Sequence, residues 1–479
     1  MDPTDIARWQ FAITTVYHFL FVPITIGLSA IIAGYEITWL RTRNPQWLRL
    51  TKFFGKLFLI NFAIGVVTGI VQEFQFGMNW SDYSRFVGDI FGAPLAIEGL
   101  LAFFLESTFL GLWIFGWDRL PEKLHAACIA LVHVGTLFSA YFILAANSWM
   151  QNPVGFGYNE ETGRAEMNDF AALLFNKVQL VTFPHVVLAA YMTGAAFVVG
   201  VAFWQHRRST TDEDRHMYRQ ALRTGAVIVL VSGVGVAVSG DVQGKIMTEV
   251  QPMKMAAAEA LYEDEAPADF SILTIGSLDG SEEVFSIKVP NLLSFLATGT
   301  TDGEVKGINP LREQYIETYG QDPGEKYYSP GDYTPVIPLT YWSFRLMMGL
   351  GGLAAAAALW ILWATRKERV PQGRPVLWAA LALPFLPLFA NSFGWIFTEV
   401  GRQPWAVFGL MTTDQAVSPG VSTGEALTSL IVLTLVYGVL AVVEVRLLLT
   451  YIRKGADPHV PDDRPPTERG DDQPLAFAY

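Results

Sequence analysis

Cysteine is almost missing from this 479-residue chain: Cys128 stands alone. One thiol cannot build an intrachain disulfide framework and excludes a CxxC redox or zinc motif. It falls in an apolar run and reads as a small buried hydrophobe. Charge is scarce too. Only 16% of residues are charged, against about a quarter in soluble domains. The net charge of −12 argues against nucleic acid as a partner. No HExxH or HxxEH zinc pattern occurs, and no internal repeat is visible. The opening residues, Met1-Asp2-Pro3-Thr4-Asp5, lack the basic start of a cleavable signal.

What is present is apolar: 51% of residues are hydrophobic, with 33 Phe and 14 Trp. Runs long enough to cross a hydrocarbon core of roughly 30 Å fall near 11–40, 53–77, 93–117, 125–149, 180–204, 220–242, 338–364, 376–399 and 425–450. The expected fold is an all-α, polytopic membrane helix bundle of about nine transmembrane helices. Six spans lie within 1–242 and three within 338–452. Between them, 243–337 forms one long acidic connection. Its first part, Gln251 to Glu265, reads as an amphipathic helix near the membrane surface, and its later part, rich in Gly, Asp and Pro, as mobile chain. The tail, 453–479, has the composition of solvated disorder.

Nine spans put the termini on opposite sides. One set of alternating connections, with the C-terminal end, carries 21 Lys and Arg; the other carries 11, six of them spread through the long connection. By the positive-inside rule the N-terminus lies outside, the C-terminus in the cytoplasm, and the long connection outside.

A charged side chain deep in a bilayer costs about 2.5–3.5 kcal/mol on insertion scales, so such residues are functional candidates by default. Four possible iron ligands sit on four spans at a similar depth in the outer half: His18, His185, Met347 and Glu399. One buried histidine is more often a packing residue than a ligand; agreement in depth across four helices reverses that weighting. Imidazole with thioether makes a six-coordinate iron suited to electron transfer, whereas a lone His or carboxylate leaves an open position. Arg345, two residues before Met347, needs an anion, which a heme propionate would supply. Met348 is a rival to Met347. Glu98 and Glu106 lie in one span, about 80° and about 12 Å apart on an ideal helix, and suit a proton relay. Ser107 and Ser139 carry less weight. His125 and His133 read as structural, and Glu36 and Glu444, near inner span ends, are assigned nothing.

Five segments carry a resemblance: RWQFAITTVYHFLFVPITIG, FGAPLAIEGLLAFFLESTFLGLW, GDVQGKIMTEVQPMKMAAAEALYE, YWSFRLMMGLG and FTEVGRQPW. They closely resemble subunit I of the cytochrome bd-type quinol oxidases, over roughly 1–450. The resemblance implies two heme b groups, one low-spin and one high-spin, and one heme d. It assigns His185 and Met347 to the low-spin heme b and His18 and Glu399 to the two high-spin hemes, whose pockets differ between members; we take His18 for heme d and Glu399 for the high-spin heme b. It puts Glu98 and Glu106 on a proton path and Lys254 and Glu259 at a quinol site in the long connection. Arg345 and Arg402 fall beside the hemes, Trp395 near the di-heme pocket, and Arg8 and Trp9 near a propionate or quinone. It further implies subunit II as partner, small single-span subunits, membrane lipid, O2 as oxidant, and a bacterial cell membrane. No insertion follows Tyr319, which matches short-loop members.

Two other readings compete. A transporter or channel would also bury carboxylates, but such folds usually show repeats. A non-catalytic diheme electron relay would offer histidine pairs on facing helices, and His125 and His133 have no obvious partners.

Overall fold

The computed structural model describes residues 2–277, 282–320, 333–369, 371 and 373–457. The stretch following Tyr319 and the tail beyond Asp457 therefore lie largely outside the described residues. Within them, nine helical segments are long and apolar enough to cross a membrane: Pro3–Thr42, Pro45–Met78, Ser81–Phe115, Glu122–Gln151, Phe170–Arg208, Asp212–Val250, Ile337–Ala364, Arg374–Val400 and Thr423–Lys454. Eight of the nine expected apolar runs fall within these segments, and the third, 93–117, overruns its segment by two residues.

Four spans are interrupted: the first, third, fifth and eighth. The first is α1 (Pro3–His18) and α2 (Phe21–Thr42), parted at Phe19–Leu20 directly after His18. Pro23 sits in the first turn of α2, where a missing N–H breaks no helical bond. Span two is α3 (Pro45–Met78). Span three runs α4 (Ser81–Ile97), a π-helical turn Glu98–Phe103, then α5 (Phe104–Phe115). Spans four to six are α6 (Glu122–Gln151), α7 with α8 (Phe170–Leu174, Lys177–Arg208) and α9 (Asp212–Val250).

The long connection is ordered where it is described. It begins with α10 (Pro252–Glu259), whose residues from Met253 onward are all buried. The expected surface-lying helix is thus shorter and sits inside the protein, against α13 and α9. Proline at its first turn starts it without loss of a hydrogen bond, and Ala260 in the left-handed region ends it. Then follow the antiparallel pair β3–β4 (Phe270–Gly276, Glu283–Val289), α11 (Leu292–Thr298) and α12 (Ile308–Tyr319). Another small hairpin, β1–β2 (Phe156–Asn159, Arg164–Met167), caps spans four and five. Spans seven to nine are α13 (Ile337–Ala364), α14 with α15 (Arg374–Ala382, Phe385–Val400) and, after the hairpin β5–β6 (Trp405–Val407, Met411–Thr412) and the short α16 (Thr413–Ala416), α17 (Thr423–Lys454).

The connections on the long-loop face are tied to one another. Gln251 Nε2 donates to Gln151 O at 2.9 Å, Phe408 N to Met150 O at 3.0 Å and Ser418 N to Asn79 O at 2.9 Å. On the opposite face Arg49 pairs with Asp214 at 2.6 Å and Lys56 with Asp457 at 2.7 Å. Between the faces, α2 and α8 meet at Gly27 and Gly194. A Cβ on Gly27 would lie 2.4 Å from Ala190 O, and one on Gly194 would lie 2.6 Å from Gly27 Cα. Small residues let two membrane helices approach this closely, where dispersion replaces the missing hydrophobic drive. This contact helps hold the spans carrying His18 and His185 in one bundle.

Candidate functional site

His18 and His185 share a geometry that His125 and His133 lack. Thr68 Oγ1 donates to the carbonyls of Ile64 and Gly65, both at 3.0 Å. With that hydroxyl proton on a carbonyl, the 2.9 Å contact to His18 is assigned as Nδ1–H donating to the hydroxyl oxygen. Likewise Ser239 Oγ donates to Gly235 O at 2.8 Å and accepts from His185 Nδ1–H at 3.0 Å. Each ring is thereby fixed as the Nδ1–H tautomer, and the Nε2 lone pair is left to bind a metal. His133 differs: Ser29 takes its Nδ1 and the Tyr191 hydroxyl its Nε2, both at 3.0 Å. His125 is closed as well, with Nδ1 on Glu36 at 2.5 Å and Nε2 on Trp113 O at 2.8 Å. Glu36 does not reach the membrane interface as its position near a span end suggested. It is 0% exposed and also accepts from Trp113 Nε1 at 2.8 Å.

Met347 is half-buried and its Sδ would lie 3.0 Å from a Cβ on Gly394, so Gly394 leaves the thioether its room. Met348, the rival, is 39% exposed. Glu399 closes α15. Its Oε1 accepts from Asn147 Nδ2 at 2.9 Å, and its Oε2 pairs with Arg402 one turn on. Arg402 is buried, and its Nε and Nη1 have no partner among the described residues. The Trp395 ring meets Phe19 edge-on at 5.0 Å, joining α15 to the residue after His18. Helix α15 packs on α13, α8 and α1, so the helices carrying Met347, His185 and His18 all border the helix carrying Glu399.

The structure separates two residues that the resemblance pairs. Lys254 and Glu259 share α10, but five residues on a helix turn them about 140° apart. Glu259 binds Arg345 in a two-pronged pair at 2.6 and 3.2 Å. Arg345 also donates to Ser271 O at 2.7 Å and lies over the rings of Phe270 and Tyr341. Glu259 is thus one anion that meets the Arg345 charge. Burial pushes the Glu259 carboxyl above its ordinary value, against the pull of Arg345. Lys254 instead donates to Gln151 Oε1 at 2.5 Å. Burial holds its ammonium well below the usual range, the Arg402 cation adds to this, and Glu399 opposes it. Arg8 lies 4.0 Å from Asp5, and the Trp9 ring is 46% exposed, as an interfacial anchor would be.

Glu98 and Glu106 both face span four. Ser139 donates to Glu98 Oε1 at 2.6 Å, and the Glu106 Cγ lies 2.6 Å from where a Cβ on Gly135 would be. Gly135 and Ser139 are one turn apart on α6, so the two carboxyls follow one stripe of that helix. The span turns π-helical from Glu98 to Phe103, so the ideal α-helical offset between the two glutamates does not apply; such turns recur at functional sites. Ser107 is exposed and bonds back to Phe104 O at 3.3 Å.

Among the described residues no three His, Cys, Asp or Glu converge on one point. The chain offers one or two ligands at a place, too few for a bare transition-metal ion. A porphyrin brings its own four nitrogens, and the open Nε2 atoms, the thioether and the buried arginine fit its iron and its carboxylates. The family model for cytochrome bd terminal oxidase subunit I matches residues 6–456. The chain belongs to that family. A Bacillus subtilis protein named cytochrome bd ubiquinol oxidase subunit 1 is 49% identical, with 95% of each chain covered. Cytochrome bd-II ubiquinol oxidase subunit 1 of Escherichia coli is 38% identical over 98% of this chain and 99% of its own. The structure of bd oxidase from Geobacillus thermodenitrificans matches with a TM-score of 0.83, 27% identity, and coverage of 95% and 99%. As a cytochrome bd subunit I, the chain is a multi-pass protein of the bacterial cell membrane. It is an oxidoreductase of electron transport that works with heme, oxidises quinol and pairs with a second subunit.

Sequence reasoning missed Thr68, Ser239, Asn147 and Gln151. Hydroxyls in membrane helices ordinarily bond back to their own helix. Nothing local marks the two that also orient a histidine on a neighbouring span.

Proposed function

We propose that this chain is the heme-carrying subunit of a terminal oxidase that oxidises quinol at the long-loop face and reduces O2 to water at a high-spin di-heme site. His185 and Met347 would hold a low-spin heme b, His18 heme d, and Glu399 a high-spin heme b. When bound, these groups supply the electron carriers and the iron at which O2 is reduced. The observation that carries the reading is the pair of histidines, each pinned through Nδ1 by a hydroxyl of a neighbouring span so that Nε2 stays open. Quinol docks beneath the long connection, where Glu259 accepts a hydroxyl proton. Protonation weakens its pair with Arg345, and re-forming that pair once the quinol is oxidised returns the proton toward the loop side.

Protons for water come from the opposite face. Glu106 takes them up and passes them to Glu98, whose second oxygen is buried and unpartnered among the described residues. Ser139 holds Glu98 in place. With the N-terminus outside, proton release and uptake fall on opposite sides, and a gradient forms without a pump. Subunit II would wall the di-heme pocket, with small single-span subunits beside it.

The test is a reduced-minus-oxidised spectrum of the purified complex and of His185→Ala. The wild type should show b-type bands and a red-shifted chlorin band, and the variant should lose the low-spin signal alone. Absence of heme bands would sink the oxidase reading. Two b-type hemes without the chlorin band would favour an electron relay.

A further inference from the structure

We propose that Lys254 and Gln151, together with Arg402, form a clamp for a porphyrin carboxylate at the Glu399 site, so that Lys254 serves a heme and not the quinol. The proposal rests on the oxidase reading with Glu399 as a ligand, and it assigns a position that the resemblance gave to quinol.

Four observations support it. First, Lys254 faces away from the Glu259–Arg345 pair, and among the described residues no ion pair joins it to Glu259. Its stem instead runs past Gly401, where a Cβ would lie 2.8 Å from the Lys254 Cγ. Gly401 therefore admits the lysine to the end of α15. Second, its charged neighbours are Arg402 and Glu399. Two basic side chains thus flank one carboxylate, and all three lie in the interior or at its edge. Should the carboxylate ligate iron, its charge is shared with the metal and the Arg402 guanidinium is left in excess. An excess buried charge is costly unless an anion meets it.

Third, three donors there are unsatisfied among the described residues: Gln151 Nε2, Arg402 Nε and Arg402 Nη1, on side chains at least nine-tenths buried. Gln151 presents Oε1 to Lys254 and leaves its NH2 free, so one amide both aims the lysine and adds a donor beside it. Fourth, the chemistry selects the ligand. Quinol brings hydroxyl donors and no charge, and cannot balance a buried guanidinium. A carboxylate accepts several hydrogen bonds and supplies the missing negative charge.

The experiment uses the assembled oxidase with Lys254→Met, Lys254→Arg and Gln151→Leu. It reads the midpoint potential of the Glu399-site heme by spectroelectrochemical titration, and KM and kcat with a short-chain quinol. Adding an electron is easier beside a cation. Lys254→Met should therefore lower that potential and the retention of that heme, with quinol KM within about twofold of the wild type. Lys254→Arg should restore both, and Gln151→Leu, which removes no charge, should shift the potential the same way by less. The low-spin bands report folding in each variant. A tenfold rise in quinol KM with the potential unchanged would overturn the proposal. Failure of the underlying ligand reading is separate: Glu399→Gln would then leave the high-spin spectrum as it was.

Discussion

Ser239→Ala removes the group that orients a proposed ligand without touching the ligand. The hydroxyl accepts from His185 Nδ1–H at 3.0 Å and is itself committed to Gly235 O at 2.8 Å. Its loss leaves a buried imidazole N–H short of an acceptor, which costs about 1–3 kcal/mol. Loss of such an outer partner typically lowers metal affinity about 10–100-fold, or about 1.4–2.7 kcal/mol. The carbonyl of Val236 also lies within hydrogen-bond reach of the His185 ring. It can take over part of the role, so the expected effect is at the lower end, about tenfold. The assay is transfer of heme from the purified complex to an apoglobin acceptor, followed in the low-spin α-band. Ser239→Ala should release that heme about tenfold faster, and Ser239→Thr, which keeps the hydroxyl, should match the wild type. If Ser239→Ala holds its heme within twofold of the wild type while His185→Ala loses it, the hydroxyl does not set the tautomer and the argument for an open Nε2 fails.

Other perturbations test the remaining assignments. Glu36→Ala strands the buried His125 Nδ1 and Trp113 Nε1 and should cost about 3–5 kcal/mol, seen as a fall in thermal midpoint with heme spectra intact below it; an unchanged midpoint would remove the pair from the structural account. Gly194→Val should part spans one and five and lower assembly yield, measured by size-exclusion chromatography. Glu106→Gln should slow O2 uptake at least tenfold with near-normal heme content, since general acid–base steps contribute about a hundredfold or more; full turnover would take Glu106 off the proton path. Asp264 offers a pH test outside the membrane. Burial raises its carboxyl, but the Gly307 N–H and Lys306 outweigh that and hold it below its ordinary value. A depressed value gives stability present at neutral pH and lost as pH falls below about 4. Proteolytic nicking of the long connection should therefore rise on acidification in the wild type and lose that dependence in Asp264→Asn.

The sequence by itself determined the nine spans, because apolar run length against bilayer thickness is a one-dimensional property. It also named the candidate residues, because ionisable side chains are conspicuous in apolar runs. His18, His185, Glu98, Glu106 and Glu399 needed no contact map to stand out. What it offered about them was depth, not lateral position. Only the tertiary structure decided that Thr68 and Ser239 leave two histidine nitrogens open while Ser29, Tyr191 and Glu36 close His133 and His125. Only it decided that Glu259 meets Arg345 and Lys254 meets Gln151, although both acid and base sit on one eight-residue helix. The reason is geometric. Hydrophobic periodicity says which residues a helix buries, whereas the partner of a buried polar atom is set by which neighbouring helix supplies a matching atom at about 3 Å, and that depends on packing between residues 50 to 104 positions apart in the chain.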